Sequence, residues 1–168
     1  MRNGWRYGLG LLSLMLASAA VQADVPVTVS AVIVAPVCQV TGVNGQSQLE
    51  MRFDDVLVQH AGTAKAERSV GIKVNCTAGA PAGKSLKMYL TPTAYGVMRN
   101  MGSNVLSTSM TEVGIALTYN KNPLNIGQWL PIQAGFFTLT GQVVIPDGIT
   151  VVEGGEFSAG ASLFASYM

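Results

Sequence analysis

Apolar residues recur at every second position through most of this chain, and helical spacing sustained over several turns is hard to find. Strict alternation sends successive side chains to opposite faces of a strand, so one set can be buried while the other meets water. The pattern predicts strands at Leu49, Met51 and Phe53; at Val70, Ile72, Val74 and Cys76; and at Leu86, Met88 and Leu90. Further strands are expected at Val113, Ile115, Leu117 and Tyr119, and at Phe137, Leu139, Gly141, Val143 and Ile145. Between them lie Asn44-Gly45, Ala80-Pro81-Ala82-Gly83, Asn120 to Pro123 and Pro146-Asp147-Gly148, which supply preset or positive φ where the chain must reverse. Many short strands with frequent turns predict an all-β sandwich or barrel, most of its strands half buried.

Two alternating stretches are longer than the rest. Residues 24–36 place Val25, Val27, Val29, Ala31, Ile33 and Ala35 on one face, and no hairpin turn joins them to the next strand. Residues 156–168 place Phe157, Ala159, Ala161, Leu163, Ala165 and Tyr167 on one face and run on to Met168. Both could be ordinary strands of one sandwich. The first, however, is so rich in β-branched residues that it would invite aggregation if left uncovered.

Composition narrows the function classes. Ten Lys plus Arg against nine Asp plus Glu give a net charge of +1, and only 11% of residues are charged while 49% are hydrophobic. Such a chain offers no basic field for nucleic acid and is too apolar to be a disordered, solvating polymer. At the start, Arg2 and Arg6 precede an uncharged run from Tyr7 to Ala23 that ends Ala19-Ala20-Val21-Gln22-Ala23. A basic head, a short apolar core and small residues before a cut predict a secretory signal peptide over residues 1–23, cleaved after Ala23. As a membrane anchor the run is short, and Gly8, Gly10, Ser13 and Ser18 interrupt it. No second hydrophobic span appears later in the chain, so the mature protein is expected outside the cytoplasm without an integral membrane segment.

The exported chain keeps two cysteines, Cys38 and Cys76. In an oxidising compartment such a pair reads most simply as a disulfide, with a catalytic thiol pair as the alternative. Zinc is a poor fit, because there is one histidine and no Cys-x-x-Cys spacing. No cofactor is expected. Ala82-Gly83-Lys84-Ser85 resembles the end of a phosphate-binding loop, but Ala78 stands where that loop needs glycine, and the following Leu86, Met88 and Leu90 alternate as a strand instead of opening a helix. His60 could serve as a base, yet no nucleophile elbow accompanies it, and the adjacent Asp54 and Asp55 would point to opposite faces of a strand. The chain does not read as an enzyme. Trp129, Phe136 and Phe137 could form a ligand surface or pack in the core.

Taken in order, these features resemble the pilin subunits of Gram-negative chaperone–usher pili, most closely the short adaptor or minor subunits of P-type and related fimbriae. The features are the signal peptide, the alternating extension 24–36 ending in Pro36-Val37-Cys38, the second cysteine closing the stretch from Val70, the segment Thr111 to Leu117, and the ending from Gly155 through Tyr167. The resemblance implies three segments: a signal peptide (1–23), a donor-strand extension (24–36) and a pilin domain (37–168). It also implies a six-stranded, incomplete immunoglobulin-like sandwich that lacks its final strand.

In this family a periplasmic chaperone lends the missing strand, and at the outer-membrane usher the extension of a neighbouring pilus subunit replaces it. Recognition is by β-strand addition, with backbone bonds for affinity and alternate side chains for specificity. Val25, Val27, Val29, Ala31 and Ile33 would then be the donor residues, although many members carry Gly where Ala31 aligns. Phe157, Ala159, Ala161, Leu163, Ala165, Tyr167 and Met168 would form the groove strand that faces the chaperone, and Cys38 to Cys76 would tie the first strand to the second. The length leaves no room for a separate lectin domain. The resemblance therefore implies a structural, polymerising subunit of an adhesive pilus at the cell surface, and the alternative is a secreted β-sandwich that binds a glycan or protein by itself.

Overall fold

The computed structural model describes residues 37–168, so the expected signal peptide and the expected donor-strand extension with Val25, Val27, Val29, Ala31 and Ile33 lie outside the described residues. Nine strands form among the described residues: β1 (Cys38–Gly42), β2 (Glu67–Cys76), β3 (Leu86–Pro92), β4 (Val105–Ser107), β5 (Gly114–Tyr119), β6 (Asn122–Pro123), β7 (Leu130–Pro131), β8 (Gly135–Val144) and β9 (Ala161–Tyr167). The only helical elements among the described residues are two 3-10 turns, Val58–His60 and Ala64–Ala66. The larger sheet runs β1-β2-β8-β5-β4 with β6 added beside β5, and the smaller runs β7-β3-β9. Every ladder is antiparallel.

The alternating residues explain why these strands bury the faces they do. Ile72 and Val74 of β2, Ile115 and Leu117 of β5, and Phe137, Leu139 and Val143 of β8 are buried on the inner face of the larger sheet. Leu86, Met88 and Leu90 of β3 are buried in the same hydrophobic core. Each large side chain removed from water contributes roughly 1.5 to 3 kcal/mol before ordering costs, so this interior is what holds the two sheets together. The turn at Asn120 and Lys121 links β5 to β6 with both residues at positive φ, 45° and 68°. That conformation matches the right-handed twist of the strands it joins.

Two predicted strands differ from what forms. The stretch Leu49, Met51 and Phe53 keeps its alternation, with Met51 and Phe53 half buried between the exposed Glu50, Arg52 and Asp54, but it belongs to no sheet. None of residues 47–56 exchanges a backbone hydrogen bond with another described backbone group. The segment packs instead by its side chains: a Cβ at Gly141 of β8 would sit 3.1 Å from Met51 Sδ and 3.4 Å from Phe53 Cζ. Gly141 thus leaves room for this segment against the inner face of β8. At the other end the strand expected over 156–168 begins only at Ala161. Phe157 and Ala159 precede it, because Ser158 is drawn to Ser109, whose N–H donates to the Ser158 carbonyl (2.9 Å) while its hydroxyl accepts from the Ser158 N–H (3.1 Å).

Candidate functional site

β9 is an edge strand with a single partner, β3, among the described residues. Antiparallel neighbours alternate between pairs that exchange both backbone bonds and pairs that exchange none. Met168 and Ser85 are a bonded pair, each N–H donating to the other's carbonyl at 2.9 and 3.0 Å. Counting along the register, Ser166, Phe164 and Ser162 also spend their backbone groups on β3, whereas Tyr167, Ala165, Leu163 and Ala161 aim theirs away from it. These outward-aimed backbones belong to residues whose side chains point inward: Leu163, Ala165 and Tyr167 pack partly buried against the core, opposite Leu90, Met88 and Leu86. The edge therefore offers a row of amides and carbonyls directly above apolar side chains.

The opposite wall is built from the beginning of the domain. β1 is the edge of the larger sheet, paired only with β2 among the described residues, and it comes close to β9. The Val37 carbonyl accepts from the Thr77 N–H (3.1 Å) and the Val43 N–H donates to the Gly71 carbonyl (3.3 Å), so Cys38, Val40 and Gly42 aim their backbone groups away from β2. At Gly42 these are taken up locally, its N–H by Gln46 (2.8 Å) and its carbonyl by Gly45 (2.9 Å). Those of Cys38 and Val40 have no backbone partner among the described residues. At the Gly42 end of β1 lies the ladderless 47–56 segment, whose Leu49 side chain would meet a Cβ at Gly42. Phe53 meets Phe157 with ring centroids 6.3 Å apart, which ties that segment to the approach of β9.

Cys38 and Cys76 sit opposite each other in the β1–β2 register and form the disulfide, so the wall strand is covalently fixed to its sheet. At the same end the Tyr167 hydroxyl donates to the Ala78 carbonyl (3.2 Å), just beyond Cys76. Among the expected groove residues the structure thus brings together Leu163, Ala165 and Tyr167. Phe157 is turned to Phe53, while Ala159, Ala161 and Met168 are exposed. Sequence reasoning missed the contribution of Cys38 and Val40 as an edge, and the signal was present: β1 is first in the domain and has no hairpin before it.

The groups considered for catalysis are scattered. His60 lies on a 3-10 turn, with Lys65 Nζ 3.5 Å from its Nε2 and the Thr63 hydroxyl donating to its carbonyl. Asp54 pairs with Arg68 on the surface. Ala82 and Gly83 form a turn, Gly83 at φ 73°, which leads into strand β3 and not into a helix. No group of three His, Cys, Asp or Glu among the described residues could hold a metal ion, and no described helix is long and apolar enough to cross a membrane. A cleft of about 570 Å³ is lined by Leu57, Val58, Gln59, Ile145, Ile149 and Thr150, none of them an acid–base side chain.

No family model matches the chain. Among curated proteins it is 30% identical to the minor fimbrial protein PrsF of Escherichia coli, covering 93% of this chain and 95% of that one. It is 29% identical to the fimbrial adapter PapF of the same organism over the same shares. Among solved structures, the P pilus adaptor subunit PapF aligns with a TM-score of 0.53 and 28% identity, over 78% of this chain and 95% of that one. The P pilus rod subunit PapA aligns with a TM-score of 0.55 over 78% and 99%, and at 17% identity it speaks for the fold alone. These relatives are structural subunits, and they do not favour an independent glycan- or protein-binding module. The chain belongs to the family of chaperone–usher fimbrial subunits, with the minor and adaptor pilins of P-type fimbriae, whose members are exported through the periplasm into surface fimbriae.

Proposed function

We propose that this chain is an adaptor subunit that joins its neighbours in an adhesive surface pilus by donor-strand exchange. A periplasmic chaperone holds it before the outer-membrane usher incorporates it. The observation that carries this reading is the β9 edge, where Leu163, Ala165 and Tyr167 present backbone groups without a partner among the described residues and inward apolar side chains on the same residues. A strand laid there gains a backbone ladder from β9 and apolar contacts from the core beneath it. Its other edge would meet Cys38 and Val40 or the segment around Met51 and Phe53, which lack backbone partners among the described residues. In the donor direction, residues 24–36 supply Val25, Val27, Val29, Ala31 and Ile33 at alternate positions for a neighbour's groove.

Burying each valine or isoleucine gains roughly 1.5 to 3 kcal/mol, and fixing each residue's backbone costs about 1 to 2 kcal/mol. The two are comparable, so insertion succeeds only into a groove whose walls already stand, as the disulfide at Cys38–Cys76 ensures for β1. The test is thermal unfolding of the exported chain, purified from the periplasm, with and without a peptide of residues 24–36. The expected result is a large, peptide-dependent rise in the unfolding temperature, absent with a peptide carrying Val29→Asp. An unfolding temperature indifferent to the wild-type peptide, in the full chain and in a chain lacking residues 24–36, would overturn the reading.

A further inference from the structure

The outer face of the smaller sheet carries a single aromatic row in polar surroundings. Phe164 of β9 is 51% exposed and pairs across the ladder with Tyr89 of β3. The Tyr89 ring lies 5.0 Å, centroid to centroid, from Trp129, which stands one rung beyond the Met88–Leu130 pair of β3 and β7. Trp129, Tyr89 and Phe164 therefore run side by side across all three strands and stop at the open edge of β9. On either side of Phe164 the outer face of β9 shows Ser162 and Ser166, which face Thr91 and Lys87. A strand added about 4.8 Å beyond β9 would place one of its solvent-side residues next to Phe164, as the fourth member of the row.

We propose that Phe164 reads the solvent-facing side of the inserted strand, selecting a neighbouring subunit's strand with a β-branched residue at that one position and thereby setting its register. The inference rests on the strand-insertion reading above and adds a determinant on the opposite face from the groove. The inward side discriminates register only in part for a strand like residues 24–36: a slip of two residues exchanges valine for valine along Val25, Val27 and Val29, keeps every backbone bond in phase, and is resisted only where Ala31 and Ile33 shift. The outer row adds a constraint wherever the solvent-side residues two positions away are not β-branched, as with Pro26 and Ser30 on either side of Thr28. The same slip moves the partner of Phe164 onto Ser162 or Ser166, and an aromatic paired with a β-branched neighbour is worth more than a serine in that place. On this chain's own extension the solvent-side positions are Pro26, Thr28, Ser30, Val32 and Val34, of which Thr28, Val32 and Val34 are β-branched.

The experiment titrates the exported chain with the 24–36 peptide and with three variants carrying Thr28→Ala, Val32→Ala or Val34→Ala, and repeats the series on Phe164→Ser. Phe164 is on the surface, so the variant keeps the core intact, and Phe164→Tyr serves as the conservative control. The expected result is that one of the three peptide substitutions weakens binding about 2- to 5-fold on the wild type and on Phe164→Tyr, but leaves binding to Phe164→Ser unchanged. Equal losses on wild type and Phe164→Ser, for all three peptides, would overturn the role of Phe164 while leaving strand insertion standing. Failure of the unmodified peptide to bind the wild type would overturn strand insertion and this inference with it.

Discussion

In the larger sheet, β2 and β8 exchange backbone bonds on both of their sides, β2 with β1 and β8, and β8 with β2 and β5. In the smaller one, β9 exchanges them on one side only, and the segment around Met51 and Phe53, which packs on the inner face of β8, exchanges none among the described residues. Both regions use the same alternation of apolar and polar residues, and both contribute to one core. What separates them is the backbone. The first region has its hydrogen bonds within the chain, and the second has side chains arranged as in a sheet while its outer backbone groups have no partner among the described residues. Side-chain burial and backbone closure are thus independent requirements, and a protein can meet the first while holding the second open for a partner.

The contrast can be broken first at the covalent tie that fixes β1 to β2 within the larger sheet, at the edge that comes close to β9. Replacing both cysteines, as Cys38→Ala with Cys76→Ala, frees a link across 38 residues and is expected to cost about 4 kcal/mol in chemical unfolding, by the loop-entropy account. The same variant should also lose peptide rescue, since β1 no longer has a fixed position beside β9. Next in size are side-chain truncations. Ile72 is fully buried in β2, and Ile72→Ala is expected to cost about 3 kcal/mol. Met51 is only half buried, on the ladderless segment, and Met51→Ala should cost about 1 kcal/mol. Equal losses at the two sites would contradict the difference drawn between the regions.

The smallest and most local effect is in hydrogen exchange. The amides of Ser162, Phe164 and Ser166 are bonded to β3, while those of Leu163, Ala165 and Tyr167 face the open edge. Protection along β9 should alternate residue by residue, by about tenfold, and the alternation should vanish when a strand peptide binds. Uniform protection along free β9 would mean that its outer edge is already paired.

Alternation in the sequence is enough to place β2, β3, β5 and β8 and most of the core, because side chains at period two register which face is buried; Ala66, Leu106, Leu124 and Ile126 are core residues that it does not reach. It is not enough to say which of those segments have ladder partners. Leu49 to Phe53 reads as a strand by its side chains and fails to become one for want of a neighbour, and residues 156–160 are diverted by the bonds of Ser158 to Ser109. The short strands β4, β6 and β7 leave no periodic signal at all. The cysteine pairing is legible from the export signal and the even count, and the inward set Leu163, Ala165 and Tyr167 from the alternation over residues 156–168, their groove role being what the family likeness implies. The Trp129–Tyr89–Phe164 row is not legible, since three residues far apart in sequence share it only through the registers of β3 with β7 and β9.

Those registers also bear on how fast the domain can assemble. Glu67 meets Gln142 across 75 positions, and Tyr167 reaches Ala78 across 89, while the turn at Asn120 and Lys121 joins only the end of β5 to the short β6. Long loops must close before most of these contacts form, which places the fold among the slow, high-contact-order topologies that take milliseconds to seconds. During that interval the apolar faces of β3 and β9 are unprotected against other chains. A helper that occupies the β9 edge early would therefore act on the time course of folding as well as on its end point, converting a slow search among distant segments into growth from a strand already in place.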